Sequence, residues 1–332
     1  MIKHFGSLYA GHVDLGDLGL GATAVNDRRF DNDHLSTIFN RVEQIVKVMD
    51  DLNYHSFWAA EHHFQHEGNE VIPNLLLLYV HLAHITKNLK FGCGFNINPM
   101  WHPLRLAEDY ATADILTNGR VIFGVGRGYH PREVDTFGVP STNSDNDANR
   151  EMFEEQVEII MKAFNQESFT HQGKHYTLPP EVSYRGYQLK ELTLVPRPAN
   201  LPVETWQPIV SGTDRALNFM AKWGIKGMIL GTGEEYVDDW AHRYQEANAR
   251  AGRELHLGEN LGLGLWCYID DSHEKAEKAL EPLFEEHVKF AAPLGMLRYS
   301  DDNMEQTGPG GAARHIAAGA NFRDVIQKRA WF

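Results

Sequence analysis

HPLRLAEDYATADILTNGRVIFGVGRG, residues 102 to 128, contains both halves of one α/β unit. Its part PLRLAEDYATADILTNG has a helical pattern that ends on Gly119, because glycine is favoured just beyond a helix C-terminus. RVIFGVG then follows as a short apolar run of the kind that forms a strand. Helices that alternate with such strands predict a parallel sheet.

The same alternation extends on both sides of this stretch. Before it come a strand at 3 to 9, a helix at 35 to 52, the strand YHSFWAAE, the helix PNLLLLYVHLAHITKN and the strand LKFGCGFNI. After it come a helix through Phe153, Val157, Ile160 and Phe164, the strands PIVSG and KGMILG around a helix at 214 to 223, and the strand LGLGLWCYID. We therefore predict one α/β domain over residues 1 to 332, a TIM-type (β/α)8 barrel rather than an open doubly wound sheet.

Insertions are expected at about 10 to 33, 167 to 207 and 291 to 332. In a barrel, catalytic residues gather where the strands end and the following loops begin. The glycine-rich segment after strand one, the segment EHHFQHEGNE after strand two and the segment at 167 to 207, which reads as a hairpin flap, are long enough to roof a pocket there.

Composition narrows the class of protein. A formal net charge of −14 repels nucleic acid and anionic lipid, so neither is expected as a partner. Cys93 and Cys267 lie in runs that look like strands, which favours two buried thiols and a reducing compartment. With no secretory signal or bilayer-length apolar run, we expect a soluble cytoplasmic protein.

Glu61, His62 and His63 stand at the end of strand two, on the expected catalytic rim. Adjacent strand residues point to opposite faces, so the two imidazoles are poorly placed to bind one metal ion, and no metal is expected. Two interpretations remain open. Either these are rim histidines bonded to backbone, or one imidazole transfers protons while Glu61 or the second histidine fixes its tautomer.

Two later segments are candidate anion sites. In GVGRG, residues 124 to 128, Arg127 offers a guanidinium fork suited to phosphate, although the expected absence of a helix for about 20 residues argues against a Rossmann turn. In VSGTDRA, residues 210 to 216, the start of a helix predicts either an anion site or simple N-capping by Thr213 or Asp214.

Taken together, FWAAEHHF, HPLRLAEDYATADILTNGRVIFGVGRG and the later VSGT stretch resemble the bacterial luciferase-like flavin-dependent monooxygenases, over most of residues 1 to 290. The resemblance implies an eight-stranded barrel with reduced FMN as cosubstrate and oxygen insertion through a C4a-peroxyflavin. It also implies a separate NAD(P)H:flavin reductase and often a homodimer, for which the run LLLLYV at 75 to 80 is one candidate seam. An apolar organic substrate of small or medium size is the leading expectation.

The resemblance also assigns residues. His62 matches a general base or hydrogen-bond donor, flanked by Glu61 and His63. The flavin ring is expected against the end of strand three at Gly94, Phe95 and Asn96, with a non-proline cis peptide between the first two. Arg127, Ser211, Gly212 and Thr213 match phosphate contacts, and His102 matches a histidine on the substrate side.

Two features depart from the family. Gly126 stands where luciferase has a cysteine, so light emission from a long-chain aldehyde is not implied. No eighth strand or following helix start is recognisable near the end, so either the chain stops short of the eighth unit, which is our preference, or residues 291 to 332 close the barrel in an unusual way. Hydride transfer with the deazaflavin F420 on the same fold, and a non-catalytic flavin-binding homologue, remain alternatives.

Overall fold

A computed structural model describes residues 2–230, 234–265, 267–291 and 294. The strands in these residues are β1 (Gly6–Tyr9), β2 (Ser56–Ala59), β3 (Lys90–Cys93), β4 (Asn96–Ile97), β5 (Val121–Gly126), β6 (His171–Gln172), β7 (Thr177–Leu178), β8 (Ser183–Tyr184), β9 (Tyr187–Gln188), β10 (Thr205–Ile209), β11 (Lys226–Leu230) and β12 (Leu261–Gly264). The helices are α1 (Asn32–Asp51), α2 (Leu75–His84), α3 (Pro103–Leu116), α4 (Pro131–Val134), α5 (Asn146–Asn165), α6 (Asp214–Trp223), α7 (Glu234–Arg250) and α8 (His273–Ala291).

The main sheet confirms the predicted barrel architecture. Its strands run β1-β2-β3-β5-β10-β11-β12, all neighbours are parallel, and β4 extends the pairing along β5. Helices alternate with the strands along the chain. The sheet is nearly closed into a barrel. In the described part of the chain, no strand pairs with the outer edge of β1 or of β12. The expected lack of an eighth unit concerns residues 295 to 332, which lie outside the described residues.

The helices are defined by capping residues and apolar faces. Asp31 accepts the backbone N–H of His34 at the start of α1, whose face Ile38, Val42, Val46 and Met49 is buried. Gly119 takes part in ending α3, as predicted, but the C-cap is Thr117: Asn118 (φ +55°) and Gly119 (φ +76°) follow it, and Gly119 donates its N–H to Asp114 O at 2.8 Å. This is a Schellman arrangement, which needs residues that tolerate positive φ.

The barrel interior is filled by large apolar side chains. Trp58, Phe95, Ile122 and Met228 form one buried cluster, against which Trp206 packs with its ring 5.7 Å from that of Trp58. A larger cluster lies between the sheet and the helices. The interior of the barrel below the strand ends is therefore a packed core rather than a channel.

Several local predictions were wrong. A short helix, α4, begins at Pro131 soon after GVGRG, because proline is favoured in a first helical turn. The last predicted strand ends at Gly264, so Cys267 is exposed and only Cys93 is buried, where burial raises its pKa to about 12. By contrast, the hairpin character predicted for the segment at 167 to 207 is present, in the two hairpins β6–β7 and β8–β9. None of the helices in the described ranges is long and apolar enough to cross a bilayer.

Candidate active site

Glu61 braces two segments at the mouth of the barrel. It is buried at the end of β2, and its Oε2 accepts the backbone N–H of Ile97 at 2.8 Å. Its Oε1 accepts the indole N–H of Trp101 at 2.9 Å and lies 3.1 Å from His63 Nε2. Glu61 therefore connects the end of β2 to the segment that follows β3, and both of its oxygens have partners.

His62 lies between two carboxylates. Its Nδ1 is 3.2 Å from each oxygen of Glu133 in α4, and its Nε2 is 3.3 Å from Glu70 Oε2 and from the Tyr129 hydroxyl. The imidazole is buried, with a side-chain exposure of 6%. Burial alone opposes a charge on this ring, but the nearby carboxylates of Glu70, Glu133 and Glu61 outweigh it and raise the pKa of His62 to about 9.

The two carboxylates differ in their preferred charge. Burial raises the pKa of Glu70 to about 7, and the charge of Glu133 adds to that effect. Burial also acts on Glu133, but hydrogen bonds from His62 and Gln65 lower its pKa overall. Gln65 Nε2 donates to Glu133 Oε1 at 2.9 Å and lies 3.4 Å from Glu70 Oε2, so one amide connects the pair.

His63 points away from this cluster. Its Nε2 contacts Glu61, and its ring meets the edge of Phe137 at 5.0 Å. Phe64, which has φ +61°, stacks on Phe137 at 5.7 Å, and both phenyl rings are about half exposed. The two neighbouring histidines thus occupy different environments, although β2 ends at Ala59 and strand alternation does not apply to them.

The segment after β3 has the local geometry that the sequence suggested. The peptide between Gly94 and Phe95 is cis, and Gly94 donates its N–H to Ala59 O at 2.8 Å. Asn96 is buried and donates from Nδ2 to Gly124 O at 2.8 Å. Through Glu61, these residues are joined to the end of β2 that carries His62.

Three arginines gather near the N-terminus of α6, and two of them, Arg215 at 2.7 Å and Arg150 at 3.9 Å, share the carboxylate of Glu154. Arg127 donates from Nε to Asn149 and from Nη2 to Asn146, both in the first turn of α5. Burial lowers its pKa to about 10, and the neighbouring charges of Arg150 and Arg215 add to that effect. In the described part of the chain, Arg127 Nη1 has no hydrogen-bond partner.

Ser211, Gly212 and Thr213 lead from β10 into α6, whose second residue is Arg215. Thr213 occupies the N-cap position but makes no capping hydrogen bond, and Asp214 pairs with Arg243 instead, so side-chain capping, one of the two alternatives for this segment, is not observed. Gly212 has φ +52°, and a Cβ there would lie 2.4 Å from the indole of Trp240. Cationic side chains beside an uncapped helix N-terminus suit a phosphate group.

His102 begins α3 rather than facing His62. Its Nδ1 accepts the Leu104 N–H at 3.3 Å, and its ring meets Tyr176 edge-on at 5.6 Å. No hydrogen bond or ring contact within the described residues joins His102 to His62. Its predicted place on the substrate side stays a prediction.

Ion pairs and charged hydrogen bonds hold the loop after β1 against α8. Arg28, in the loop after β1, is buried and donates from Nη2 to Glu286 Oε2 in α8 at 3.1 Å and to Asp17 Oδ1 at 3.1 Å. Lys289 donates to the carbonyl oxygens of Gly19 and Thr23. The loop and α8 are thus joined by several charged contacts.

Four residues of the His62 cluster were missed by sequence reasoning: Gln65, Glu70, Tyr129 and Glu133. All lie in loops or in the four-residue α4, where periodicity gives no information on burial. The one available signal was the density of ionisable residues in EHHFQHEGNE, which contains Glu61, Glu67 and Glu70 beside three histidines.

A family model described as luciferase-like monooxygenase matches residues 24–325. The chain belongs to this family. Membership confirms the resemblance in the sequence and makes the chain a member of a family of oxidoreductases.

Among similar proteins, the oxygenase component of the flavin-dependent trigonelline monooxygenase of Acinetobacter baylyi is 27% identical over 157 residues, which are 47% of this luciferase-like chain and 42% of the relative. Limonene 1,2-monooxygenase of Rhodococcus erythropolis is 28% identical over 49% of this chain and 40% of its own length. The chain thus spans less than half the length of these curated relatives.

Among solved structures, the oxygenating constituent of 3,6-diketocamphane monooxygenase of Pseudomonas putida, in complex with FMN, superposes with a TM-score of 0.66 at 18% identity, covering 100% of this chain and 90% of that one. An F420-dependent secondary alcohol dehydrogenase superposes with a TM-score of 0.61 at 17% identity, covering 89% and 80%. Both show that the luciferase-like chain shares their fold.

Proposed function

We propose that this protein is the oxygenase component of a two-component system, which uses reduced FMN and O2 to oxygenate an apolar organic substrate of small or medium size. The observation that carries the proposal is the phosphate-suited group of Arg127, Arg150 and Arg215 beside the uncapped start of α6. It lies at the same strand-end face as the His62 cluster, since Tyr129, which contacts His62, follows Arg127 by two residues.

These residues fit FMN chemically. The cationic cluster and the first-turn amides of α6 would hold the phosphate, with Gly212 allowing the backbone to pass close to Trp240. Gly94, Phe95 and Asn96 would hold the flavin ring against the end of β3. When bound, reduced FMN supplies the electrons with which O2 is activated.

The remaining side chains have roles that follow from their contacts. Glu61 fixes the spacing between the end of β2 and the ring-binding segment. His62 would present a positioned imidazole to the reacting groups. A buried apolar cluster in the barrel would exclude water from the flavin on the core side of the site; it consists of Trp58, Phe95, Ile122 and Met228. Exclusion of water favours oxygenation over unproductive release of hydrogen peroxide.

A separate NAD(P)H:flavin reductase is the partner that this function requires. The trigonelline and diketocamphane proteins, whose names describe an oxygenase component and an oxygenating constituent, support that proposal. The family resemblance also supports a homodimer. One candidate for its interface is the outer face of α2, where Leu77 is exposed.

The proposal is tested by binding and turnover together. Reduced FMN and reduced F420 are titrated anaerobically, and incorporation of labelled O2 is then measured with a panel of terpenes, ketones and aromatic compounds. We expect tighter binding of FMN and label in a product. Tenfold tighter binding of F420, corresponding to about 1.4 kcal/mol, would instead assign hydride transfer on the same fold.

Two variants and one control separate binding from chemistry. Arg215→Gln removes one cation of the phosphate group and should weaken FMN binding, whereas Arg105→Gln, which removes an exposed cation of α3, should not. His62→Gln should leave FMN affinity nearly intact and abolish turnover. A wild-type protein that binds FMN but oxygenates nothing on the panel would support a non-catalytic flavin-binding role.

A further inference from the structure

Neighbouring side chains supply the hydrogen bonds to the Glu70 and Glu133 carboxylates. Gln65 Nε2 donates to Glu133 and lies within reach of Glu70, and the Tyr129 hydroxyl donates to Glu70 Oε2 at 3.5 Å. A further neighbour is the ring of His62, with one nitrogen facing each carboxylate at 3.2 to 3.3 Å. The only form of this ring with a proton on both nitrogens is the imidazolium.

A neutral ring would be poorly accommodated. It would place a lone pair against Glu133 if Nδ1 were bare, or against the ionised form of Glu70 if Nε2 were bare, because the Tyr129 hydroxyl near Nε2 donates to Glu70. In a site from which water is excluded, a lone pair facing a carboxylate is repelled, whereas an N–H is attracted and makes a charge-assisted bond. The positions of both carboxylates thus select the doubly protonated ring.

From this geometry we infer that Glu70 and Glu133 are positioning residues that keep His62 doubly protonated, so that His62 serves as a fixed cationic hydrogen-bond donor and not as a general base. The inference deepens the proposed function, on which its catalytic meaning rests. It decides between the two roles that the family resemblance left open for this histidine. Turnover should therefore not require a deprotonated His62 near neutral pH.

Other charged groups around the cluster do not reverse this result. Glu61, beside His62 in sequence, adds negative charge, as Glu67 does near Glu70. On the α4 side, burial lowers the pKa of His130, so this ring is neutral near pH 7, while Arg132 is paired with Glu67. The charges that face His62 are therefore negative: Glu61 and Glu70 from the segment after β2, and Glu133 from α4.

The inference is tested by the protonation of His62 itself, measured without flavin. The protein is labelled with ring-15N histidine, and the His62 signals among 18 histidines are assigned by their loss in His62→Gln. We expect both ring nitrogens of wild-type His62 to stay protonated from pH 6 to about 8. A titration with a midpoint near 6.5 in the wild-type protein would overturn the inference.

Isosteric variants test the two carboxylates. Glu133→Gln and Glu70→Gln should each lower the midpoint of His62 by about one pH unit or more, a tenfold loss of proton affinity. Glu67→Gln, in the same loop but paired with Arg132, should leave it nearly unchanged. If all three variants lower stability while the His62 midpoint stays fixed, the carboxylates are only structural and the inference is wrong.

This readout is independent of the proposed function. Protein that fails to bind FMN or to oxygenate any substrate still reports the protonation of His62. Conversely, the protein could oxygenate a substrate with a turnover that rises with pH around a midpoint near 6.5. If Glu70→Gln lowers this turnover and leaves the midpoint unchanged, the proposed function is retained. The role of His62 as a fixed cationic donor is then rejected.

Discussion

Replacing Glu61 with glutamine tests the bracing role of this carboxylate most directly. Oε2 accepts from Ile97 N–H at 2.8 Å, and Oε1 accepts from Trp101 Nε1 at 2.9 Å. Glutamine has one acceptor oxygen, so in either orientation its NH2 group faces a buried N–H donor. The bond that remains also loses its charge-assisted character.

The magnitude follows from these two losses. A buried donor left without an acceptor costs about 1 to 3 kcal/mol, and the weakening of a charged hydrogen bond costs about 1 kcal/mol more. We therefore expect the free energy of unfolding of Glu61→Gln to fall by about 2 to 4 kcal/mol. Urea denaturation followed by circular dichroism measures this as a lower midpoint at an unchanged slope.

Glu108→Gln is the matched control. Glu108 pairs with Arg105 on the exposed face of α3, so its replacement should cost less than about 1 kcal/mol. If Glu61→Gln were no more destabilising than this control, the bracing role would be refuted. Loss of turnover at unchanged stability would in that case return Glu61 to the catalytic role predicted from the sequence.

Three further outcomes are expected. Gly212→Ala should weaken FMN binding about tenfold in a titration, because its Cβ would meet Trp240, whereas Gly252→Ala, also at positive φ but in open space, should leave binding unchanged. Arg28→Met should lower the free energy of unfolding in urea by about 3 kcal/mol, since it leaves a buried Glu286 carboxylate with one partner fewer; no loss would contradict a buried ion pair. The pKa of His62 is raised from 6.5 to about 9, so the protonated ring adds to the free energy of unfolding. This contribution is fully present below pH 6.5 and is lost as the pH rises to 9. The decline in the free energy of unfolding over this range should be smaller in His62→Gln.

The barrel was predictable because each of its main strands and helices carries a local sequence pattern. The helix predicted at 214 to 223 is observed over Asp214–Trp223, and the Gly119 terminator of α3 is present. Errors arose where the local signal is weak. α4 is only four residues long, too short for periodicity to show, and the run around Cys267 looks apolar although the strand has already ended.

The candidate site was predictable in outline but not in its contacts. The order of the strands places Glu61, His62 and the residues after β3 at one edge, and this follows from parallel pairing of β2 with β3. The partner of His62, Glu133, is 71 residues away in sequence, and no periodic pattern marks a buried glutamate in a helix of four residues. Long-range electrostatic pairing of this kind becomes visible only in three dimensions.

The placement of two indoles gives this protein a built-in optical readout. Trp101 is hydrogen-bonded to Glu61 beside the proposed flavin ring, and Trp240 lies against Gly212 beside the proposed phosphate group. Tryptophan emission overlaps flavin absorption, so energy transfer from these rings would quench their fluorescence as a flavin arrives. Because the chain has seven tryptophans, the difference between the wild-type protein and Trp240→Phe reports the phosphate end, and the difference from Trp101→Phe reports the ring end.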